Sequence, residues 1–144
     1  MGKFGVYLKE NDFSYDGDLI SDLKQKADFN RNVMRLFISI SIWLSDEISE
    51  GQILLEKIKH ENARLEETEA MKFIIKAGQY FANFTNDPTP EHDGVGRVWI
   101  NGSRGITSTI TLKRDGLFYA WCEKEKKQKE LTEDLFLEIL NLYI

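Results

Sequence analysis

The chain has 144 residues, of which 42% are hydrophobic and 12% aromatic, and its formal net charge is −5 at pH 7. This composition excludes an aromatic-poor disordered chain, and the length suits a single domain over residues 1–144. The only cysteine, Cys122, excludes an internal disulfide. Because it lies in an apolar run, we predict a buried thiol and a reducing, cytoplasmic location.

Neither a secretory signal nor a membrane span is predicted. Lys9, Glu10 and Asp12 interrupt the apolar character of the first residues, so a signal sequence is not expected there. The longest apolar stretch, Leu36 to Leu44, has nine residues. A helix that crosses a bilayer needs about 20. We therefore expect no membrane partner.

The first predicted helix follows a turn at Asp16-Gly17, where Asp18 is a suitable N-cap. The next stretch, Val33 to Ile48, fits both a helical and a strand period, and its length without Gly or Pro favours a helix. The apolar residues of the first helix are Leu19, Ile20, Leu23 and Ala27.

Two further helices are predicted between residues 49 and 88. Ser49 and Gln52 have the spacing of a capping box, and apolar residues follow them at Ile53, Leu54, Leu55 and Ile58. Because residues 60–68 contain no helix breaker, the two helices are either one long helix or a hairpin. Asn86 and Pro88 would end the later of these two helices, which is the fourth predicted helix of the chain. Its apolar stripe contains Met71, Ile74, Ile75, Gly78 and Phe81.

Beyond the proline-containing loop, the pattern changes to short alternating segments joined by turn residues. Val95 to Ile100, Ile106 to Lys113 and Leu117 to Glu123 predict three antiparallel strands. In the middle strand the residues expected on the covered face are Ile106, Ser108, Ile110 and Leu112, and those on the solvent face are Thr107, Thr109, Thr111 and Lys113.

A closing helix is predicted after Thr132, the N-cap, with Leu131 and Phe136 placed as a hydrophobic staple. The fold class is therefore α+β, with a helical N-terminal two-thirds packed on a C-terminal three-stranded antiparallel meander and a closing C-terminal helix. The residues of that helix expected to cover the sheet are Leu135, Ile139, Leu140 and Tyr143.

The candidate catalytic and metal-binding patterns are incomplete. His60 begins a zinc-protease pattern, but Arg64 stands where the second histidine must lie. Glu91-His92-Asp93 fits a solvated turn better than a metal site, because consecutive side chains diverge. Gly102-Ser103-Arg104-Gly105 is a hairpin loop, one residue shorter than a nucleophile elbow. We predict no enzyme, metal or cofactor; the alternative is an unrecognised hydrolase that uses His92 with Glu91 or Asp93.

Nucleic-acid binding has some support, since cations interleaved with aromatic residues can hold a single strand. The aromatic residues are needed for the core, however, and the net charge is negative, so we predict no nucleic-acid partner. The residues concerned are Arg97, Arg104, Lys113 and Arg114, near Trp99, Phe118, Tyr119 and Trp121.

The acidic residues are concentrated towards the N-terminus. Residues 1–93 hold 17 acidic and 11 basic side chains, whereas residues 94–144 hold 7 and 8. Such asymmetry suits solubility or a basic partner. The three clusters are Asp12, Asp16, Asp18 and Asp22; Asp46, Glu47 and Glu50; and Glu61, Glu66, Glu67 and Glu69.

A small, acidic, single-domain chain with one cysteine and no catalytic motif resembles, in its whole-chain profile, the immunity proteins of bacterial contact-dependent inhibition and polymorphic-toxin systems. The resemblance implies tight, non-catalytic binding of a basic toxin domain by a protein that is monomeric when free. The partner-binding residues expected from charge complementarity, with an aromatic anchor, are Asp16, Asp18, Asp22, Glu66, Glu67, Glu69 and Trp99.

The alternative function is that of a secretion-type chaperone or a phage-encoded adaptor. Chaperones of this kind are also small, acidic α+β proteins, but they pair through exposed apolar surface. A homodimer would therefore favour the chaperone, and a monomer would favour the inhibitor.

Overall fold

The computed structural model describes residues 17–58 and 72–144, with side chains in the first range from residue 20 onward. A long helix α1 (Gly17–Trp43) and a short helix α2 (Ser45–Ser49) precede the strands, and helix α3 (Glu133–Leu140) follows them. The strands are β1 (Leu54–Ile58), β2 (Lys72–Ala77), β3 (Tyr80–Asp87), β4 (Gly94–Gly102), β5 (Thr107–Lys113), β6 (Phe118–Cys122) and β7 (Lys127–Glu130).

Within the described residues the strands form one seven-stranded antiparallel sheet, in which each strand pairs with its neighbours in sequence. Successive side chains of a strand point to opposite faces, so the sheet has two chemically different faces. We call the apolar one the covered face. Its buried residues are Phe73, Ile75, Ala82, Phe84, Val98, Ile100, Ile110, Leu112, Ala120 and Cys122.

Helix α1 packs on the covered face. The Phe29 ring lies so close to Gly96 of β4 that a Cβ there would stand 2.6 Å from a ring carbon. Glycine therefore permits the approach of helix and sheet. Burial of a large apolar side chain is worth about 1.5–3 kcal/mol, which explains why the stretch forms a helix despite its strand-like alternation. The buried stripe of α1 is Phe29, Val33, Leu36 and Ile40, and Leu44, directly after the helix, is buried with it.

Helix α3 packs on the same face as α1. The Phe136 ring centroid lies 5.5 Å from that of Trp43 and 6.1 Å from that of Phe84. After the helix, the buried Tyr143 hydroxyl donates to Ser108 Oγ at 2.7 Å and lies 3.2 Å from the Ile100 carbonyl oxygen. The C-terminal segment is thereby tied to β4 and β5.

The predicted helical N-terminal two-thirds is wrong. The segments predicted as the third and fourth helices form β1, β2 and β3, and the sheet has seven strands rather than three. Gly51, at φ +74°, ends α2 and turns the chain towards β1. Ser49 and Gln52 thus lie at the end of a helix, where the Gln52 N–H donates to the Glu47 carbonyl at 2.9 Å.

The segment predicted as the fourth helix contains the tight turn between β2 and β3. Gly78, at φ +60°, is one of the two residues between the strands, and this left-handed conformation does not continue a helix. Phe73 faces Phe84, with stacked rings at 4.5 Å. The cross-strand pairs of the hairpin therefore override the helical spacing of its apolar residues.

Other sequence predictions are confirmed. The ambiguous stretch from Val33 is helical, as α1 and then α2. The three strands of the C-terminal meander are present as β4, β5 and β6, and Cys122 is buried. The Leu135 N–H donates to Thr132 Oγ1 at 3.2 Å, so Thr132 is the N-cap of α3. No helix of the described residues has the length and apolar character to cross a bilayer.

Candidate partner-binding surface

The second face of the sheet is the candidate functional surface, and we call it the open face. Among the described residues, helices α1 and α3 lie on the opposite side. The register places Trp99 opposite Thr109, and Tyr119 opposite Thr111, on this face. Its central residues are partly exposed aromatic, hydroxyl and amide side chains: Phe81, Asn83, Thr85, Trp99, Asn101, Thr107, Thr109, Thr111, Tyr119 and Trp121.

Trp99 is held by the carboxylate of Asp87. Its indole Nε1 donates to Asp87 Oδ2 at 3.0 Å, and the guanidinium of Arg97 lies 5.0 Å from the ring centroid. Arg97 also pairs with Glu91 and lies 4.0 Å from Asp87. Partial burial opposes ionisation of Asp87, but the hydrogen bonds from Trp99 and Thr89 and the charge of Arg97 lower its pKa overall.

Tyr119 and Trp121 on β6 are held in the same way. The Tyr119 hydroxyl donates to Asp115 Oδ2 at 2.5 Å, and the Lys113 ammonium lies 4.3 Å from its ring centroid. That hydrogen bond raises the pKa of Tyr119 and lowers the pKa of Asp115. The Trp121 Nε1 donates to Glu123 at 2.9 Å.

We call three residues the aromatic platform: Trp99, Tyr119 and Trp121. Each ring has a carboxylate partner that fixes its polar atom while its apolar surface stays partly exposed. Trp121 is 48% exposed. Large rings that are fixed in advance lose little conformational entropy when a partner binds, and Trp and Tyr are enriched at the energetic centres of interfaces. The platform thus has the chemistry of a binding surface.

A crevice opens between Trp99 and Trp121. The ladder between β5 and β6 ends at the pair of Ile110 and Ala120, although β5 begins three residues earlier, at Thr107. Where the strands separate, α3 forms the floor. The crevice has a volume of about 480 Å³, and its apolar lining includes Ile106, Leu135, Ile139 and Leu142.

A second cavity, of about 520 Å³, lies on the other side of Trp99. Asp22 and Lys26 of α1 and Asp87 of β3 line it, together with Asn86 and the proline-containing loop. Asn86 is 5% exposed, and its Oδ1 has no hydrogen-bond partner among the described residues. The cavity therefore combines two carboxylates and a lysine with an indole ring, whereas the Asn86 oxygen is buried from solvent.

The predicted partner-binding residues are only partly described. Asp22 and Trp99, 77 positions apart, line the same cavity. Asp22 is already 3.4 Å from the Lys26 ammonium, which reduces its free charge. Asp18 lies in α1, but its side chain is outside the described residues, as are Asp16, Glu66, Glu67 and Glu69.

The acidic cluster of Asp46, Glu47 and Glu50 contributes a candidate site that is not among the predicted partner-binding residues. Glu47 lines a groove of about 640 Å³ between α2 and α3, with Asp134 and Glu138 at its rim. Lys124 lies 3.0 Å from Glu138, whereas Glu47 Oε2 is buried and has no partner among the described residues. Nothing in the sequence brings residues 47 and 134 together, so only the fold identifies this groove.

The residues considered for other chemistry are arranged differently. His92 and Asp93 are exposed in the loop before β4, and the described residues contain no group of three possible ligands close enough to hold a metal. Of the cations near the platform, Arg97 pairs with Glu91 and lies near Asp87, which offsets its charge. Lys113 and Arg104 lie over the rings of Tyr119 and Tyr80 and keep their charge.

No family model, curated protein or solved structure matches this chain.

Proposed function

We propose that this chain is a non-catalytic protein-binding module, and that the aromatic platform is the centre of its interface. The observation that carries the proposal is the set of three partly exposed rings, each held by a carboxylate. A solvent-facing sheet surface does not need such rings for folding, because the apolar core lies on the covered face. Rigid aromatic anchors are typical of interfaces.

We further propose a cationic partner. The cavity beside Trp99 has two carboxylates, Asp22 and Asp87, and the chain's own cations Lys26 and Arg97 lie next to them. A guanidinium or ammonium group of a partner can compete for these carboxylates and stacks favourably against an indole. Glu47, Asp134 and Glu138 give the groove between α2 and α3 the same preference. With the whole-chain resemblance, these features support an immunity protein that neutralises a basic toxin domain in the cytoplasm.

The product of the adjacent coding sequence is the probe that tests this proposal. Expressed together, the two chains should elute as one complex, and titration calorimetry gives the affinity. Trp99→Ala and Trp121→Ala should each weaken binding by about tenfold or more, as expected for aromatic anchors. The matched control is Ile42→Ala, which removes a 65% exposed apolar side chain from α1, away from the platform.

The charge component is tested separately. Asp22→Lys and Glu47→Lys should weaken the complex more at low than at high ionic strength. Asp28→Lys makes the same charge change on α1 at a residue that, like Asp22, has a basic partner but does not line the cavity beside Trp99, and it should have less effect. Failure of the two chains to associate, or equal loss of affinity in all variants, would contradict the proposal.

A second candidate function is the homodimeric chaperone. Helix α1 carries large apolar residues on the side opposite its buried stripe: Ile20, Leu23, Ile38 and Ile42 are 52–65% exposed. Such a stripe can pair two copies. Light scattering with size exclusion separates the candidates, because a concentration-independent dimer that Ile38→Glu dissociates supports the chaperone, whereas a monomer supports the inhibitor.

A further inference from the structure

The crevice between Trp99 and Trp121 differs from the rest of the open face because it reaches the apolar core. Leu135 and Ile139 of α3, each 6% exposed, form part of its lining. At its mouth, Trp121, Ile106 and Leu142 are 48%, 39% and 46% exposed. Three large apolar side chains are thus nearly half exposed around one opening, and an apolar occupant would remove this surface from water.

The charge at the mouth favours an uncharged occupant. Glu123 and Glu138 both line the crevice. Glu123 accepts from the Trp121 indole and pairs with Lys126, and Glu138 lies 3.0 Å from the Lys124 ammonium. Each carboxylate is therefore neutralised by the chain's own lysine. Among the described residues that line it, the crevice therefore offers no unpaired charge to an occupant.

One wall of the crevice is the edge of a strand. The Lys113 N–H donates to the Leu117 carbonyl at 3.0 Å. Because backbone groups alternate along an antiparallel ladder, the odd-numbered residues of β5 direct theirs towards β6. The ladder ends at Ile110, so Thr107 directs its N–H and C=O to a side that has no paired strand. These groups can pair with an added extended segment.

We propose that the crevice takes an extended, uncharged segment of the partner, which inserts one large apolar side chain between Trp99 and Trp121 and pairs its backbone with Thr107 at the start of β5. Strand addition with a side-chain pocket is an established mode of peptide recognition, in which the main chain contributes affinity and the pocket contributes specificity. This inference rests on the proposed protein-binding function and adds the kind of segment that is bound.

Three synthetic peptides test the inference without the partner. The first is a blocked pentapeptide of threonines with a central phenylalanine. The second has alanine at the centre, and the third keeps phenylalanine but is N-methylated at alternate residues. Titration of the full chain is followed by tryptophan fluorescence and calorimetry. We expect the alanine peptide to bind about tenfold more weakly and the N-methylated peptide about fivefold more weakly than the first.

Variants locate the binding. Trp121→Ala and Leu142→Lys should abolish the response to the phenylalanine peptide, whereas Ile42→Ala on α1 should retain it. No binding at millimolar peptide, equal affinity for the phenylalanine and alanine peptides, or an unchanged response in Trp121→Ala would overturn the inference.

The outcomes separate the two proposals. A complex with the neighbouring gene product without peptide binding would retain the protein-binding function and refute the crevice. Peptide binding at Trp121 without that complex would retain the crevice and refute the assigned partner.

Discussion

The two faces of the sheet use aromatic residues for opposite purposes. On the covered face, Phe73, Phe84 and Phe136 pack against one another, and their positions are fixed by burial alone. On the open face, Trp99 and Trp121 keep exposed surface, and carboxylates fix their positions. Aromatic residues that are ordered without being buried are available to another molecule.

The comparison also separates stability from function. Apolar burial and close packing on the covered face contribute most of the free energy of folding. The hydrogen bonds that hold the rings of the open face are partly exposed, and each contributes only a small net free energy of folding in water. Substitutions on the first face should therefore unfold the protein, and those on the second should change binding while the fold is retained.

The largest expected effect is that of Phe84→Ala. This side chain is 1% exposed and stacks on Phe73, so its removal leaves a cavity and should cost about 3–5 kcal/mol. Trp121→Ala removes a larger ring from the open face and should cost less than about 1 kcal/mol. Urea denaturation followed by circular dichroism measures both. Similar losses in the free energy of unfolding from the two variants would contradict the conclusion that the covered face, and not the open face, stabilises the fold.

A second test adds volume to the covered face. Gly96→Ala would place a Cβ 2.6 Å from the buried Phe29 ring, and the overpacking should cost about 1–3 kcal/mol. The neighbouring strand offers a control in Thr111→Ser, a change of one methyl group on the open face, which should leave the denaturation midpoint nearly unchanged. A neutral Gly96→Ala would mean that α1 is free to move away from the sheet.

The same distinction explains what the sequence could predict. Strand β5 was predictable because covered and open faces alternate there as apolar and polar residues, and β4 and β6 were predictable from the turn residues that separate them from β5. Strands β1 and β2 were not, because apolar side chains such as Leu54 and Ile74 also lie on their open face, which hides the period of two. The left-handed glycines Gly51 and Gly78 were the available signal, since each marks a turn.

The candidate site was predictable only in part. Trp99 was selected as an aromatic anchor, and the structure places it beside Asp22, the one predicted acidic residue with a described side chain. Its tether, Asp87, was not predicted, because that contact depends on the register of β3 and β4. Neither was Glu47, whose groove forms only when α3 packs next to α2.

A smaller effect is expected when the side-chain hydroxyl of Tyr143 is removed. Tyr143→Phe removes the hydrogen bond to Ser108 in a buried setting and should cost about 1–2 kcal/mol. Burial also raises the pKa of Tyr143 in the folded state above its ordinary value of 10.0. As pH rises, the unfolded chain therefore loses the Tyr143 proton before the folded chain does. The free energy of unfolding should fall as pH rises above 10.0.

Urea titrations at neutral and alkaline pH measure this dependence on Tyr143. The alkaline loss of stability should be smaller in Tyr143→Phe than in the parent chain. An equal loss in both proteins would assign it to other groups.

The smallest expected effect concerns the hydrogen bond from Trp99 to Asp87. Because the pKa of Asp87 is lowered in the folded state, its stabilising contribution is complete above the unfolded value of about 4 and is lost as pH falls through the lower folded value. In a Trp121→Phe background, tryptophan emission should shift to longer wavelength over that acidic range while the far-ultraviolet circular dichroism stays native. Asp87→Asn should lack this titration, whereas Asp93→Asn in the nearby exposed loop should retain it. A shift that persists in Asp87→Asn would assign the titration to another group, and the contrast between the two faces would then fail at Trp99.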